Sequence, residues 1–569
     1  MKKTFIKRSV ALACALTALA TTTACGGKKE DGEQMLEMFL WDAGYGTDWL
    51  YTMSEDFQSL DWVKEKYPNL KIKIETNSDS SKADTLLDAG EAGGNTVDLF
   101  FDGNLEKYMG VSYDGKQYFE DLTEPVYNQL VPGENVTFKD KILDCALDTF
   151  QYYDKGQDSN SEVPFKSYAT PWMGGFSSLI YNADHLEHLG LEVPLTTQQL
   201  VETCETVQNS KELAYNLRED AKGGYAILTD AGGNYWDDFY QVWWAQYEGM
   251  EGFYNFFNGF DGEAISYKVH EQKGKLYALQ VLEDLLKWDN GYVYQNRTAY
   301  DYMAAQTQFY SGDAVFYAMG DWIADEMKEI VADLKEFDGV EYNIRMMRLP
   351  IVSQIIELTP SITSDEMLRA VVKAIDDGYA TQAAAKAASY YAYPETLGIS
   401  AEEAAKCADI TEADYAKIAD ARSIQQGGGG GHGCVPVYAQ GKEIAYDFLR
   451  YLATDQALEI YAEKTSGSLL PFEYEMSEET YNKIPQVTKD SADFVSDTRV
   501  KQIQFLPGVS KFPLVKWGGM AAVKSTGGAG LINYFMGKGA VASAQQIWSD
   551  DIEYYKTAFA ECMSNAGLS

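Results

Sequence analysis

The sequence predicts an α/β fold built on mostly parallel sheets, and three observations carry that expectation. Short strand-like runs alternate with amphipathic stretches in the order strand, helix, strand, helix, strand. The length of 569 residues provides for two or more domains. Hydrophobic residues at 46% and aromatics at 13% supply a large core, which excludes a disordered polyelectrolyte.

Each element follows from its local pattern. Residues 36–41 (LEMFLW) form a short apolar strand, closed by the Gly-rich turn Asp42, Ala43, Gly44, Tyr45, Gly46. From 48 to 67, Leu50, Met53, Phe57, Leu60 and Val63 recur at near-helical spacing, and Pro68 with Asn69 stops the helix. Residues 70–74 (LKIKI) alternate apolar and polar, as a half-buried strand does. A further helical stretch leads to 97–101 (VDLFF), a third strand closed by Asp102, Gly103 and Asn104. This order requires right-handed crossovers. Ligands in such sheets sit beyond the C-terminal strand ends, here the loops 42–47 and 102–104.

Charge narrows the partners. The 47 Lys+Arg against 86 Asp+Glu give a formal charge of −39. So little cationic surface excludes nucleic acid, where phosphate counterions must be displaced, and excludes lying flat on an anionic membrane. The acidity reads as solubility for an exported protein.

The N-terminus carries an address. Lys2, Lys3, Lys7 and Arg8 precede an uncharged Ala/Leu/Thr-rich run, 9–23, and then Ala24, Cys25, Gly26 and Gly27. The run falls short of the roughly 20 apolar residues that span a bilayer, so 1–24 reads as a signal peptide. The small residue before Cys25 resembles a bacterial lipoprotein signal, whose cysteine takes lipid (a palmitate-type chain) and becomes the mature N-terminus; Thr22 departs from the usual Leu. Residues 25–34 then form a polar tether reaching roughly 30 Å from the bilayer. The expected location is the extracellular face of the cell membrane, anchored through Cys25. The remaining cysteines, Cys145, Cys204, Cys407, Cys434 and Cys562, are odd in number and dispersed without a CxxC pair. They build neither a disulfide framework nor a zinc site.

Later motifs point to a family. Residues 168–182 (YATPWMGGFSSLIYN) lead to Gly190 and Pro194; Gly312, Asp313, Ala314 precede Met319, Gly320, Asp321, Trp322; and 445–452 (AYDFLRYL) precede Gly467, Leu470 and Pro471. With the early Gly-Tyr-Gly turn, these pieces in this order resemble the extracellular solute-binding proteins of ABC sugar importers, family 1, the maltose-binding-protein-like lipoproteins. The resemblance implies a two-lobed, periplasmic-binding-protein-like fold of type II, each lobe a central sheet flanked by helices. It places lobe one at 35–169 plus 351–470 and lobe two at 170–350 plus 471–569. The segment 359–431, with Ala-rich 383–388 and the run Gly427–Gly431, is longer than its counterpart in that family.

The implied function is capture of a carbohydrate, an oligosaccharide by preference, and delivery to ABC permease subunits by a monomeric receptor without cofactor. Sugar recognition needs flat apolar faces and polar groups for hydroxyls. Covering about 100 Å² of a pyranose at ~25 cal/mol/Å² stabilises by roughly 2.5 kcal/mol. By position in the resemblance, Trp172, Tyr235, Trp236, Trp322, Trp517 and Tyr45 are the expected stackers. Asp102, Asn104, Asp42 and Asp237 are the expected hydroxyl partners, because charge-assisted hydrogen bonds are the stronger ones. Trp243 and Trp244 lie in a helical stretch and read as core.

Enzyme chemistry is poorly provided for. No GxSxG occurs, and the four histidines, His185, His188, His270 and His432, lack the spacing of a HExxH metal site. Asp237 and Asp238 are adjacent and so point apart, unlike a glycosidase pair. The alternatives are a surface glycoside hydrolase, or a same-fold receptor for a peptide, a polyamine or an anionic sugar, the last favouring Arg345, Arg348 or Lys516.

Overall fold

The computed structural model describes residues 34–79, 81–110, 115–152, 155, 166–210, 225–232, 235–294, 301–427, 431–503, 512–523, 531, 533–536 and 542–568. The signal peptide, Cys25, nearly all of the tether and part of the Gly427–Gly431 run lie outside the described residues. Among the described residues no helix is long and apolar enough to cross a membrane.

Two principal sheets organise the chain. The first has five strands: β1 (Gln34–Trp41), β2 (Leu70–Asn77), β3 (Leu99–Asp102), β4 (Thr170–Pro171) and, from much later, β10 (His432–Cys434), in the order β2-β1-β3-β10-β4. β1 pairs parallel with β2 and β3, while β10 runs antiparallel to β3 and β4. β2 alternates half-buried and exposed residues because it is the edge strand, with one face wet. Its Lys73 meets Glu37 of β1, the residue opposite in register, at 2.9 Å. The expected helix over 48–67 is two, Asp48–Ser59 and Asp61–Lys66, because Leu60 takes an extended backbone (ψ 136°) between them. Trp49, Leu50, Met53 and Phe57 bury one face of the first helix at three- and four-residue spacing.

The second sheet has four strands: β5 (Ser177–Asn182), β6 (Tyr225–Leu228), β7 (Ala314–Gly320) and β8 (Ile344–Met346), in the order β6-β7-β5-β8. A two-stranded pair joins β9 (Ile424–Gln426) to β11 (Lys501–Ile503). The passage from β4 to β5 takes only residues 172–176. There the Gly175 amide donates to the Leu469 carbonyl at 2.6 Å, and Phe176 bridges Gly427. Three stretches that pass between the sheets therefore lie side by side. Gly175 has φ +81°, and a Cβ there would stand 2.2 Å from the buried Asp321 carboxylate, so only glycine fits.

Two cores form, and the second sheet turns one face to each, with Tyr317 in the first and Phe316 in the second. One groups Leu36, Phe39, Trp49, Phe101 and Phe448; the other groups Leu179, Phe239, Trp243, Trp244 and Leu282. Trp243 and Trp244 are fully buried. Residues 351–424, placed by sequence with the first lobe, bury their apolar side chains in the second core, among them Leu368, Val371, Tyr415 and Ile418. The cause is local. The Trp243 indole donates to the Pro350 carbonyl at 3.0 Å, and the buried Arg422 guanidinium holds Asp376 and the Leu349 carbonyl at 2.7 and 2.8 Å. The added helices, Asp365–Asp376 and Glu412–Ser423 among them, thereby extend the second core.

Candidate functional site

Between the two sheets lies a cleft of about 980 Å³. One wall comes from the end of β1 and its turn, Trp41 to Gly46, with Ser78 and Asn104 beyond the ends of β2 and β3. The other comes from Tyr317 and Met319 of β7, from Trp322, Asp325 and Glu326 just after it, and from the start of the helix Tyr235–Phe257. Loops after parallel strand ends are free of the sheet's ladder and converge where the two sheets face each other.

Local periodicity decides which side chains reach the cleft. On β7, alternation sends Tyr317 and Met319 toward it and Phe316 and Ala318 into the second core. Tyr235 and Asp238 are three apart on a helix and share the cleft face; Trp236 and Phe239, offset by one, share the core face. Tyr302 and Gln306, four apart in the helix Tyr302–Tyr310, join the wall in the same way.

An aromatic cluster crosses from wall to wall. The Trp322 ring lies 5.8 Å from Tyr45 and 5.5 Å from Tyr235. The Tyr45 hydroxyl donates to the Gly174 carbonyl at 2.8 Å, tying the turn to the passage between the sheets. Close approach is possible because Gly320 lets the indole fold back over the strand end. A Cβ at Gly320 would meet the Trp322 ring at 2.0 Å, and one at Gly44 would meet the Glu326 carboxylate at 2.5 Å.

Carboxyls give the cleft its electrostatics. Burial, with Asp325 alongside, pushes Glu326 up to about 7 against the pull of a 2.6 Å hydrogen bond from the Gln306 amide. Burial also raises Asp42. Burial and then the neighbouring Asp237 raise Asp238.

Of the residues expected from sequence, Asp42, Tyr45, Asn104, Tyr235 and Trp322 border the cleft. The other five stand elsewhere. Trp172 is fully buried, stacked on Trp49 at 5.7 Å and donating to the Asp102 carbonyl at 3.3 Å; the next residue, Met173, reaches the cleft instead. Asp102 is buried at the end of β3, accepts from the Asn104 amide at 2.8 Å, and is pushed by burial up to about 6. Trp236 is sealed in the second core. Asp237 accepts from the Leu531 amide at 3.1 Å. Trp517 is half-buried beside Lys516. Sequence reasoning passed over Trp41, Tyr302, Gln306, Asp325 and Glu326, although the three- and four-residue steps from Trp322 and Tyr302 were visible.

The basic residues named for an anionic ligand face other partners. Arg345 grips Asp490 through two 2.7 Å bonds, Arg348 pairs with Asp497, and Lys516 donates to the Met109 carbonyl at 3.1 Å.

Two sheets facing across an aromatic, acidic cleft, joined by adjacent passages, define a two-lobed receptor for a small solute. The chain belongs to the bacterial extracellular solute-binding protein family, whose pattern matches residues 43–356. It is a binding protein and not an enzyme. Among solved structures, it is similar to an ABC substrate-binding protein from Listeria monocytogenes in complex with cycloalternan (14% identity, 93% of this chain and 99% of that one, TM-score 0.53). It is similar also to a structure from work on xylan utilization by Caldanaerobius polysaccharolyticus (15%, 91% and 99%, TM-score 0.53). The maltose-bound MalE3 of T. maritima is a third (15%, 92% and 99%, TM-score 0.50). At these identities the likeness shows the fold. A comparison with curated protein sequences gives no match.

Proposed function

We propose that the protein captures a carbohydrate in the cleft between its sheets and delivers it to an ABC permease. One observation carries this reading: Trp322, Tyr45 and Tyr235 bring rings from both walls into one cluster bordering a cleft large enough for an oligosaccharide. Tyr45 and Trp322 are buried and form the floor of the cleft, while the half-buried Tyr235 and Trp41 and the exposed Tyr302 offer it apolar ring surface, and Asp42 and Asn104 offer partners for hydroxyls. The solved relatives bound to cycloalternan and to maltose support the same class of ligand.

The receptor works as a monomer held at the outer face of the membrane by lipid on Cys25, with 26–34 as its leash. Its second lobe takes in 351–426 as well as 177–346, since Leu368, Val371 and Ile418 pack in the same core as Leu179, Phe239 and Phe316. A ligand touching both walls favours the closed arrangement, and the permease reads that difference. The test is a thermal-shift screen against neutral and charged glycans, peptides and polyamines. A bound glycan stabilises the folded protein by mass action, by about 2.7 kcal/mol at a hundred times Kd, and so raises Tm. A screen in which only peptides or polyamines raise Tm overturns the carbohydrate reading.

A further inference from the structure

The acids of the cleft bear on the charge of what it holds. Asp42, Asp230, Asp238, Asp301, Asp325 and Glu326 border it, and no Lys, Arg or His stands among the described lining residues. Lys328, outside the lining, meets Asp325 at 3.0 Å. The chain as a whole carries more than one base for every two acids, 47 against 86, so the wall is more one-sided than the protein.

A second observation comes from Gln306, which is fully buried at the base of this wall. Its Nε2 donates to Glu326, and its Oε1 has no partner. A buried unpaired acceptor facing a wall that offers no Lys, Arg or His donor calls for one from the ligand. The acids do not converge on a point: among the described residues no three of His, Cys, Asp and Glu are placed to hold a metal ion. An extended organic cation reaches such a spaced set, and a single ion does not.

We propose that the cleft takes a hydroxylated ligand bearing protonated amines, an amino sugar or basic oligosaccharide, in preference to a neutral one. This rests on the carbohydrate reading above and adds the ligand's charge. Each ammonium supplies three donors, to the carboxylates and to Gln306 Oε1. The exposed ring of Tyr302 and the half-buried ring of Trp41 offer π-faces to the same cation.

Calorimetry on the intact mature chain tests it, with glucosamine, its short β-1,4 oligomers and an aminoglycoside as probes, each against a neutral or N-acetylated counterpart. The expected result is at least about tenfold tighter binding of the amine-bearing member, weakening as NaCl rises from about 20 to about 300 mM. Asp42→Asn, in an exposed turn, is expected to weaken that binding roughly three- to tenfold. Neutral members binding as tightly, with no salt dependence, would overturn the charge preference while leaving the carbohydrate receptor standing. Binding of spermidine and of no saccharide would remove both. Failure of every amine-bearing probe, with a neutral glycan bound, also overturns the inference.

Discussion

Trp322 is the residue on which the cleft turns, because its ring touches aromatic partners from both walls. The ring is only 7% exposed, so Trp322→Ala acts by opening a hole under the ligand, and the affinity is expected to fall about tenfold in calorimetry. Glu326 provides a pH signature. Its carboxyl is raised from an ordinary 4.5 to about 7, chiefly by burial, so the folded state binds a proton the unfolded state has lost. Stability of the ligand-free protein should therefore fall as pH rises from about 4.5 to about 7. Urea denaturation across that window checks it, and Glu326→Gln should flatten this part of the profile.

At the scale of elements, two joints are exposed to substitution. The C-terminal helix Ala544–Ala566 is pinned to the helix Lys273–Leu286 by Asp551, which holds His270 at 2.7 Å and Lys275, all three buried. Burial works against the Asp551 carboxylate, yet Lys275 and His270 draw it down to about 2. Its contribution is present above the ordinary 3.8 and is lost as pH falls toward about 2. Asp551→Ala strands the Lys275 charge in the core, and a loss of about 3–5 kcal/mol is expected in chemical denaturation. The other joint is the passage between the sheets. Gly175→Ala would force a Cβ against Asp321 at φ +81°, so a loss of more than ~1 kcal/mol of stability is expected, read as a lowered Tm.

For the whole molecule, the geometry predicts a ligand-dependent change of shape. The turn after β7 is buried against the first core through Trp322, Ile323 and Met327, while β7 itself belongs to the second sheet. Small-angle scattering should show a smaller radius of gyration with saturating ligand than without it. An unchanged radius would count against hinged closure.

The order of the first three strands and their helices was legible in the sequence, because each is set by neighbours three or four residues away or by alternation: Leu50, Met53 and Phe57, or the LKIKI run of β2. Strand ends marked the turn Asp42 to Gly46 and Asn104, whereas Tyr235 and Trp322 followed only from position in the family resemblance; all of them border the cleft. What sequence could not decide is which of two adjacent large side chains faces the gap. Tyr235 and Trp236 differ by one step on a helix, about 100° of rotation, and Trp172 and Met173 by one step of chain. Only packing against the second core and against Trp49 assigns them. The same holds for 351–424, whose helical patterns name apolar faces without naming the core that receives them. Apolar burial is non-directional, so periodicity determines that a face is buried, and tertiary contacts such as Trp243 to Pro350 and Arg422 to Asp376 determine where.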